Sequence, residues 1–284
     1  MPYKTCSYDC IYCQLGATTK KTAELKDYVP TEEILTDVTE WLARDGKADY
    51  ITMSGSGEPT LHSALAKIIA SIKELTDIPV AVITNGSLLL VESVAEACAL
   101  ADLVVPSLDA GSDEVFSQVN RPHPDITFDS MLKGLQSFRN RYNGSIWLEV
   151  MLVGGVNDTP GQIAAMADLI EVIRPERVQV NTVVRPPTEK YAECIPSERL
   201  LQLAGQLGGE VIAPFDVSHT HETKVSQAGS ILELLRRRPC AVLDIASGLG
   251  IHENEVVKQI SGMLEEGTVV AERHGENVIY RATG

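Results

Sequence analysis

Nowhere in the 284 residues do about eighteen uncharged apolar residues follow one another, so no segment reads as a membrane-spanning helix. Lys4, Thr5 and Ser7 stand where an export signal would need an apolar stretch; neither secretion nor a membrane anchor is indicated, and a cytoplasmic location is expected. Basic charge is scarce as well. Against 39 Asp and Glu there are 24 Lys and Arg, a formal charge of −15, which disfavours bulk attraction to nucleic acid or anionic membrane and leaves only a local basic patch for such a role. No internal repeat or low-complexity tract stands out. What the chain does have is 44% apolar residues, ample for one large α/β domain and a small second one.

Cysteine is sparse too, but half of it is clustered. Of six cysteines, Cys98, Cys194 and Cys240 stand alone, whereas Cys6, Cys10 and Cys13 fall within "CSYDCIYC". In a reducing compartment a cluster of this kind reads as metal ligands or reactive thiols before disulfides. Three thiolates on one short loop are best satisfied by an iron-sulfur cluster. A structural zinc site normally has four ligands, and none follows closely here; the competing reading is zinc completed by a remote His62 or His123. Three protein ligands on a four-iron cluster leave one iron open, and an open metal position binds substrate or cofactor.

From residue 31 onward, helical patterns alternate with short β-rich runs, which predicts βα units around a parallel sheet. Helices are expected at 31–46, 63–76, 88–100, 128–141, 159–173 and near 197–207, and strands in "ADYITMSGSG", at 79–86, 101–110, 145–155 and 177–187. That makes five strands after the cysteine loop, followed by a short "EVIAPFDV". Each apolar run ends in Gly, Asn, Ser, Asp or Arg, so polar groups collect at the carboxyl ends of the strands, where barrels and open α/β sheets build their sites.

Beyond residue 217 the text changes character. The polar stretch 218–228 with His219 and His221 reads as a linker holding solvated histidines. Three short helices over 230–239, 241–250 and 251–267, and two strands around residues 274–277, then predict a winged helix-turn-helix, with Gly248 and Gly250 as the turn between the second and third helices. Domains are therefore expected at 1–217 and 229–284. Residues 225–284 hold six Lys and Arg and eight Asp and Glu, and the third helix opens with Glu253 and Glu255. A base-reading helix needs donors in a basic setting, so DNA is not expected as a partner, although Arg236, Arg237 and Arg238 leave contact with RNA open. Protein docking, dimerisation or cover for the barrel mouth fits equally well.

The spacing of the three cysteines with aromatic Tyr12 before the third, together with "SGSGEPTLH", resembles the radical S-adenosylmethionine superfamily over roughly residues 1–190. Ser56, Gly57, Glu58 and Pro59 align with that family's Gly-Gly-Glu-Pro motif, Ser56 replacing the first glycine. The resemblance implies a partial (β/α)6 barrel. It also implies a 4Fe-4S cluster on Cys6, Cys10 and Cys13 whose open iron binds S-adenosylmethionine, and a radical enzyme supplied with electrons by flavodoxin, ferredoxin or a reductase. For the cofactor it implies Gly57, Glu58 and Pro59, Asn85 in "TNG", Ser107 and Asp109 in "SLD" and Gly155 in "VGGVND", with Arg185 meeting a carboxylate or phosphate. The family's glutamate accepts from the methionyl ammonium, while Ser107 and Asp109 are candidates for the ribose. For each such residue a helix cap or loop brace is the plain alternative. The subgroup it resembles is that of wyosine-synthase-like Fe-S oxidoreductases, whose members carry an arginine-containing segment upstream. Only five residues precede Cys6. The expected reading is a start placed too late; the alternative is a barrel lacking its first strand. The substrate, whether small molecule, RNA or peptide, is not legible, and an iron-sulfur or zinc regulator acting through the winged helix is the competing class.

Overall fold

Six strands run parallel in one sheet, and their order in the sheet is their order along the chain: β3 (Ile51–Met53), β4 (Val80–Thr84), β5 (Leu103–Pro106), β6 (Ser145–Leu152), β7 (Arg177–Thr182) and β8 (Glu210–Val211). Parallel neighbours need crossovers. Here these are α2 (Leu65–Leu75), α3 (Glu92–Cys98), the pair α4 (Asp113–Val119) and α5 (Phe128–Arg141), α6 (Pro160–Ile173) and α7 (Ser197–Gln206). Ahead of the sheet lie α1 (Thr31–Ala43) and two short strands, β1 (Thr5–Cys6) and β2 (Lys20–Lys21), which pair in parallel with each other. The computed structural model describes residues 4–184, 187–212, 227–249, 251, 253–274 and 277–283. They divide between two units, Met1–Ile212 and Ala213–Gly284.

Side-chain alternation explains how the first unit packs. Along β6, Ile146, Leu148, Val150 and Leu152 are buried while the residues between them are half-buried, and β7 buries Val178, Val180 and Thr182 in the same rhythm. The buried row meets Ile68, Ile69 and Ile72 of α2, Met131, Leu135 and Phe138 of α5 and Ile163, Met166 and Ile170 of α6 in one core. That is the period of two meeting the period of 3.6. On the opposite face Ala81, Leu103 and Val105 form a small apolar cluster with Trp147. The ring of Tyr50, at the start of β3, lies 6.3 Å from that of Trp147 on β6, edge to face, although two strands separate theirs in the sheet. The sheet must curl for this contact to form, as in a partial barrel.

The predicted elements appear with shorter limits, and there are differences. Strand β8 adds a sixth member within "EVIAPFDV". Helix α4 was not expected, because it spans only seven residues; Ser112 caps it by accepting from Val115 N. Helix α1 begins at Thr31 without a side-chain cap and ends at Ala43, three residues before Gly46.

In the second unit the described residues form α8 (Gln227–Arg237), α9 (Val242–Leu249), α10 (Glu253–Glu265) and an antiparallel hairpin of β9 (Val269–His274) and β10 (Asn277–Ala282). Ile231, Leu235, Ile245, Val256, Ile260 and Val269 make its core. Cys240, between α8 and α9, exchanges backbone hydrogen bonds with Tyr280 and so adds a third extended segment to the hairpin. Gly248 lies inside α9 rather than in the turn that follows it, while Gly250 lies outside the described residues, as does most of the expected linker with His219 and His221. No helix among the described residues is long and apolar enough to cross a membrane.

A close approach between helix and loop sets the packing of α5. A β-carbon on Gly134 would stand 2.7 Å from the Leu90 backbone nitrogen and 3.1 Å from the Leu89 carbonyl carbon. Gly134→Ala should therefore lower stability by ~1–3 kcal/mol through overpacking, seen as a lower urea midpoint at unchanged slope. An unaltered midpoint would show that α5 can retreat without cost.

Candidate functional site

The cysteine loop is held from below by backbone and from the sides by small polar groups. Lys4 N donates to Ser56 O at 2.6 Å and Glu58 N donates to Thr5 O at 3.1 Å, which zips the start of the loop to the turn after β3. Between these bonds sits Gly57. A β-carbon there would fall on the Thr5 carbonyl oxygen and 2.8 Å from the Thr5 carbonyl carbon, so only glycine fits. Further on, Asp9 N and Ile11 N donate to Asn120 O and Val119 O at the end of α4. Ile11 is fully buried with Val119, Val153 and Val183, which fastens the loop over the carboxyl ends of β6 and β7.

Each cysteine sulfur meets a side-chain nitrogen. Asn85 Nδ2 lies 3.6 Å from Cys6 Sγ, Asn120 Nδ2 3.5 Å from Cys10 Sγ and Lys4 Nζ 3.0 Å from Cys13 Sγ. Burial, with Glu58 adding repulsion, pushes the Cys6 thiol up to about 12. Cys10 is raised well above the ordinary thiol range by burial and then by Cys6 and Asp109. Left to themselves these two thiols stay protonated, and a bound metal centre is what would deprotonate them.

Glu58 is buried at the start of a one-turn 3₁₀ helix, Pro59–Leu61. Its Oε1 accepts from Thr60 N at 3.0 Å, Thr60 Oγ1 at 2.6 Å and Thr84 Oγ1 at 2.6 Å, and its Oε2 from Asn85 N at 2.8 Å. Burial raises this carboxyl, and those donors oppose the rise. A carboxylate has about four lone-pair sites. Oε1 takes three donors and Oε2 one, so the geometry makes Glu58 a tie between the turns after β3 and β4. Asn85, thus fixed, also donates to Ser7 Oγ at 2.9 Å and accepts from Ser87 N at 3.0 Å.

Asp109 is a second buried brace. Its Oδ2 accepts from Tyr12 Oη at 2.5 Å and Asn120 Nδ2 at 2.7 Å, and its Oδ1 from Met151 N at 3.0 Å. Burial raises it against these three donors. Ser107 sits half-buried beside Glu149 of β6 on the neighbouring strand. Gly155, exposed, turns at φ 72° with its N–H on Asp158 Oδ1. Gly57, Glu58, Pro59, Asn85, Ser107, Asp109 and Gly155 all follow the carboxyl ends of β3 to β6. Gly57, Glu58 and Asn85 join the cysteine loop directly, Asp109 joins it through Tyr12 and Asn120, and Gly155 is exposed; Arg185 lies outside the described residues.

Three contributors were not anticipated. Lys4 precedes the motif, Asn120 ends a helix that the sequence barely marks, and Asn157 bridges Asp109 O, Met151 O and Val153 N inside the wall. Only the run of polar residue and proline in "NRPH" hinted at Asn120. The rings of the two remote zinc candidates are engaged elsewhere, although the His123 backbone N–H donates to Ser7 O of the loop at 2.8 Å. His62 has both ring nitrogens engaged, with Val29 O and Asp27 at one and Ala64 N at the other, and the His123 ring faces Asp125.

Do these residues fit a cluster? Among the described residues no three His, Cys, Asp or Glu side chains converge closely enough for a single metal ion. The three cysteine sulfurs nevertheless lie within electrostatic reach of one another. That arrangement suits a cluster, whose ligands stand farther apart than those of one ion. Tyr8 Oη is a buried hydroxyl without a partner among the described atoms, and it feels Cys10 and Cys6. An orphan donor beside two thiols fits a group that the protein does not itself supply.

Residues 1–170 match the model of the radical SAM superfamily. A protein of Brachyspira hyodysenteriae named GTPase Obg is 36% identical over 274 residues, covering 95% of this chain and 40% of that protein. A UPF0026 protein of Methanocaldococcus jannaschii is 37% identical over 193 residues, 67% of this chain and 60% of its own. The chain thus spans less than two thirds of either relative. Among solved structures, Streptococcus suis SuiB bound to S-adenosylmethionine superposes with a TM-score of 0.53 at 17% identity, covering 77% of this chain and 50% of that one, a likeness of fold. Three thiols on a loop above a curled parallel sheet, and a family model over most of that unit, agree: the chain belongs to the radical SAM superfamily, enzymes that use a 4Fe-4S cluster and S-adenosylmethionine.

Proposed function

We propose that Cys6, Cys10 and Cys13 hold the 4Fe-4S cluster and that the turns after β3 to β6 hold S-adenosylmethionine against it. When bound, the two cofactors supply a 5′-deoxyadenosyl radical that abstracts hydrogen from a substrate. The observation that carries this reading is the docking of the cysteine loop through Gly57 onto the carboxyl end of the sheet, where Asn85 links Glu58 to Cys6. Glu58 acts in this scheme by orienting Thr84 and Asn85, and Gly57 and Pro59 shape the approach of the methionyl end. Ser107 offers a half-buried hydroxyl for the ribose, with Asp109 fixing Tyr12 beneath it. Gly155, its N–H held by Asp158, leaves open space at its α-carbon for the adenine, and Arg185 supplies a cation for a carboxylate or phosphate. Burial of this region keeps water from a radical that it would quench.

Within the superfamily we assign the chain to a wyosine-synthase-like subgroup acting in the cytoplasm with flavodoxin, ferredoxin or a reductase as donor. Its substrate class, small molecule, RNA or peptide, stays open. The second unit we read as a winged helix for protein docking or dimerisation, because Glu253 and Glu255 stand in the first turn of α10 and would repel phosphates.

Anoxic reconstitution with iron and sulfide should give a broad absorbance near the blue and reductant-dependent release of 5′-deoxyadenosine, both lost in Cys10→Ala; a colourless protein binding one zinc would refute the reading. Gly57→Ala should lower iron uptake severalfold, since Thr5 cannot yield without moving Cys6, and full loading would show the contact to be dispensable. Glu58→Gln puts an N–H toward donors and should raise the KM for S-adenosylmethionine about tenfold or more, from the roughly 1–3 kcal/mol cost of an unsatisfied buried group. An unchanged KM would remove Glu58 from cofactor binding.

A further inference from the structure

The three nitrogens that reach the cysteine sulfurs are not alike. Asn85 and Asn120 are neutral amides, and each also serves an oxygen, Ser7 Oγ and Asp109 Oδ2 respectively. Lys4 brings an ammonium, and its 3.0 Å to Cys13 Sγ is the shortest of the three contacts. A lysine ordinarily keeps its charged head in water. Lys4 is only 4% exposed. Its backbone stands at φ 55°, a left-handed conformation disfavoured for any residue with a β-carbon. Backbone bonds hold it there: its N–H goes to Ser56 O, and its carbonyl accepts from Thr19 N at 3.2 Å and Lys20 N at 3.1 Å. Strain of this kind persists where the surroundings over-determine it, commonly at functional sites.

Charge bookkeeping around the loop singles out the same residue. Among the described residues, Glu58 and Asp109 are buried carboxylates tied to the loop through Asn85, Tyr12 and Asn120, and Lys4 is a buried ammonium in contact with one of its sulfurs. A cluster held here would gain one negative charge on reduction, in a region already crowded with carboxylates. A fixed positive charge in contact with a ligand sulfur favours the reduced state, and hydrogen bonds and local charge at the sulfurs are established levers on such potentials.

We propose that Lys4 is a positioning residue for the electron-transfer step, its ammonium on Cys13 raising the reduction potential of the cluster while Asn85 and Asn120 contribute uncharged hydrogen bonds. The inference rests on the cluster assignment made above. The step is a one-electron reduction by an external donor; no bond to Lys4 forms or breaks, and its protons stay in place.

The test is an EPR-monitored redox titration of the full chain, anoxically reconstituted, poised with dithionite and without S-adenosylmethionine. Wild type is compared with Lys4→Met, Lys4→Gln and Lys4→Arg at measured iron and sulfide content. Lys4→Met and Lys4→Gln should shift the reduction equilibrium against the reduced form by about tenfold, ~59 mV for one electron, and Lys4→Arg should stay near wild type. Equal midpoints in all four proteins at equal loading would overturn the proposal. If Lys4→Met does not load, Lys4→Gln carries the comparison, since it keeps a donor and removes only the charge. Loss of iron from both neutral variants with Lys4→Arg loaded would make Lys4 a structural clamp and overturn the redox role. Failure of the wild type to take up a cluster would instead sink the functional reading itself; an unshifted potential in a wild-type protein that cleaves S-adenosylmethionine would sink only the role of Lys4.

Discussion

The carbonyl of Thr5 lies against the α-carbon of Gly57, in the space that any side chain at that position would need. That one approach fixes the height of the cysteine loop over the sheet, because Lys4 N and Glu58 N close a hydrogen-bonded step on either side of it. Cys6 follows Thr5 directly, and Glu58 follows Gly57. Cys6 and the first buried carboxylate are therefore placed by the same contact. From Glu58 the order passes through Asn85 to Ser7 and Cys6, which closes a ring of interactions between two segments far apart in sequence.

Two buried carboxylates under three thiols is an expensive arrangement unless each group is satisfied. Glu58 and Asp109 meet that demand with donors from Thr60, Thr84, Asn85, Tyr12, Asn120 and Met151. Their negative charge still bears on the thiols, pushing Cys6 and Cys10 up together with burial. An apo loop of this composition holds neutral thiols. An iron centre would reverse that balance, and among the described residues Lys4 brings a cation to a cysteine sulfur. The carboxylates thus brace the loop through buried donors, unlike a surface cluster of acids.

Much of the architecture was legible because it obeys simple periods. The alternation of Ile146, Leu148, Val150 and Leu152 against the helical spacing of Ile68, Ile69 and Ile72 announces strand and helix directly. The cysteine loop stood out in the sequence because three thiols so close together have few other uses than holding a metal centre. Long-range contacts carry no such local mark. Lys4 reads as an ordinary surface lysine until the fold wraps Ser56, Thr19 and Lys20 around it. Asn120 follows a helix that the sequence did not announce, and only the fold brings it between Asp109 and Cys10. Glu58 was readable as important, but whether its oxygens face a ligand or Thr84 and Asn85 depends on strand neighbours that the sequence does not order. Helix α4 was missed for a different reason: at seven residues it shows barely two turns of pattern. Gly248 misled because glycine usually ends helices, whereas here it sits one residue inside α9.

The central claim is that three cysteines leave one iron of a cluster free to bind S-adenosylmethionine. The most direct measurement is the EPR spectrum of the dithionite-reduced, reconstituted protein recorded with and without that compound, including a sample labelled with ¹⁵N at the methionyl amine. The account predicts a changed spectrum on addition and a nitrogen hyperfine coupling that follows the label. A reduced cluster whose spectrum is the same in all three samples would contradict it.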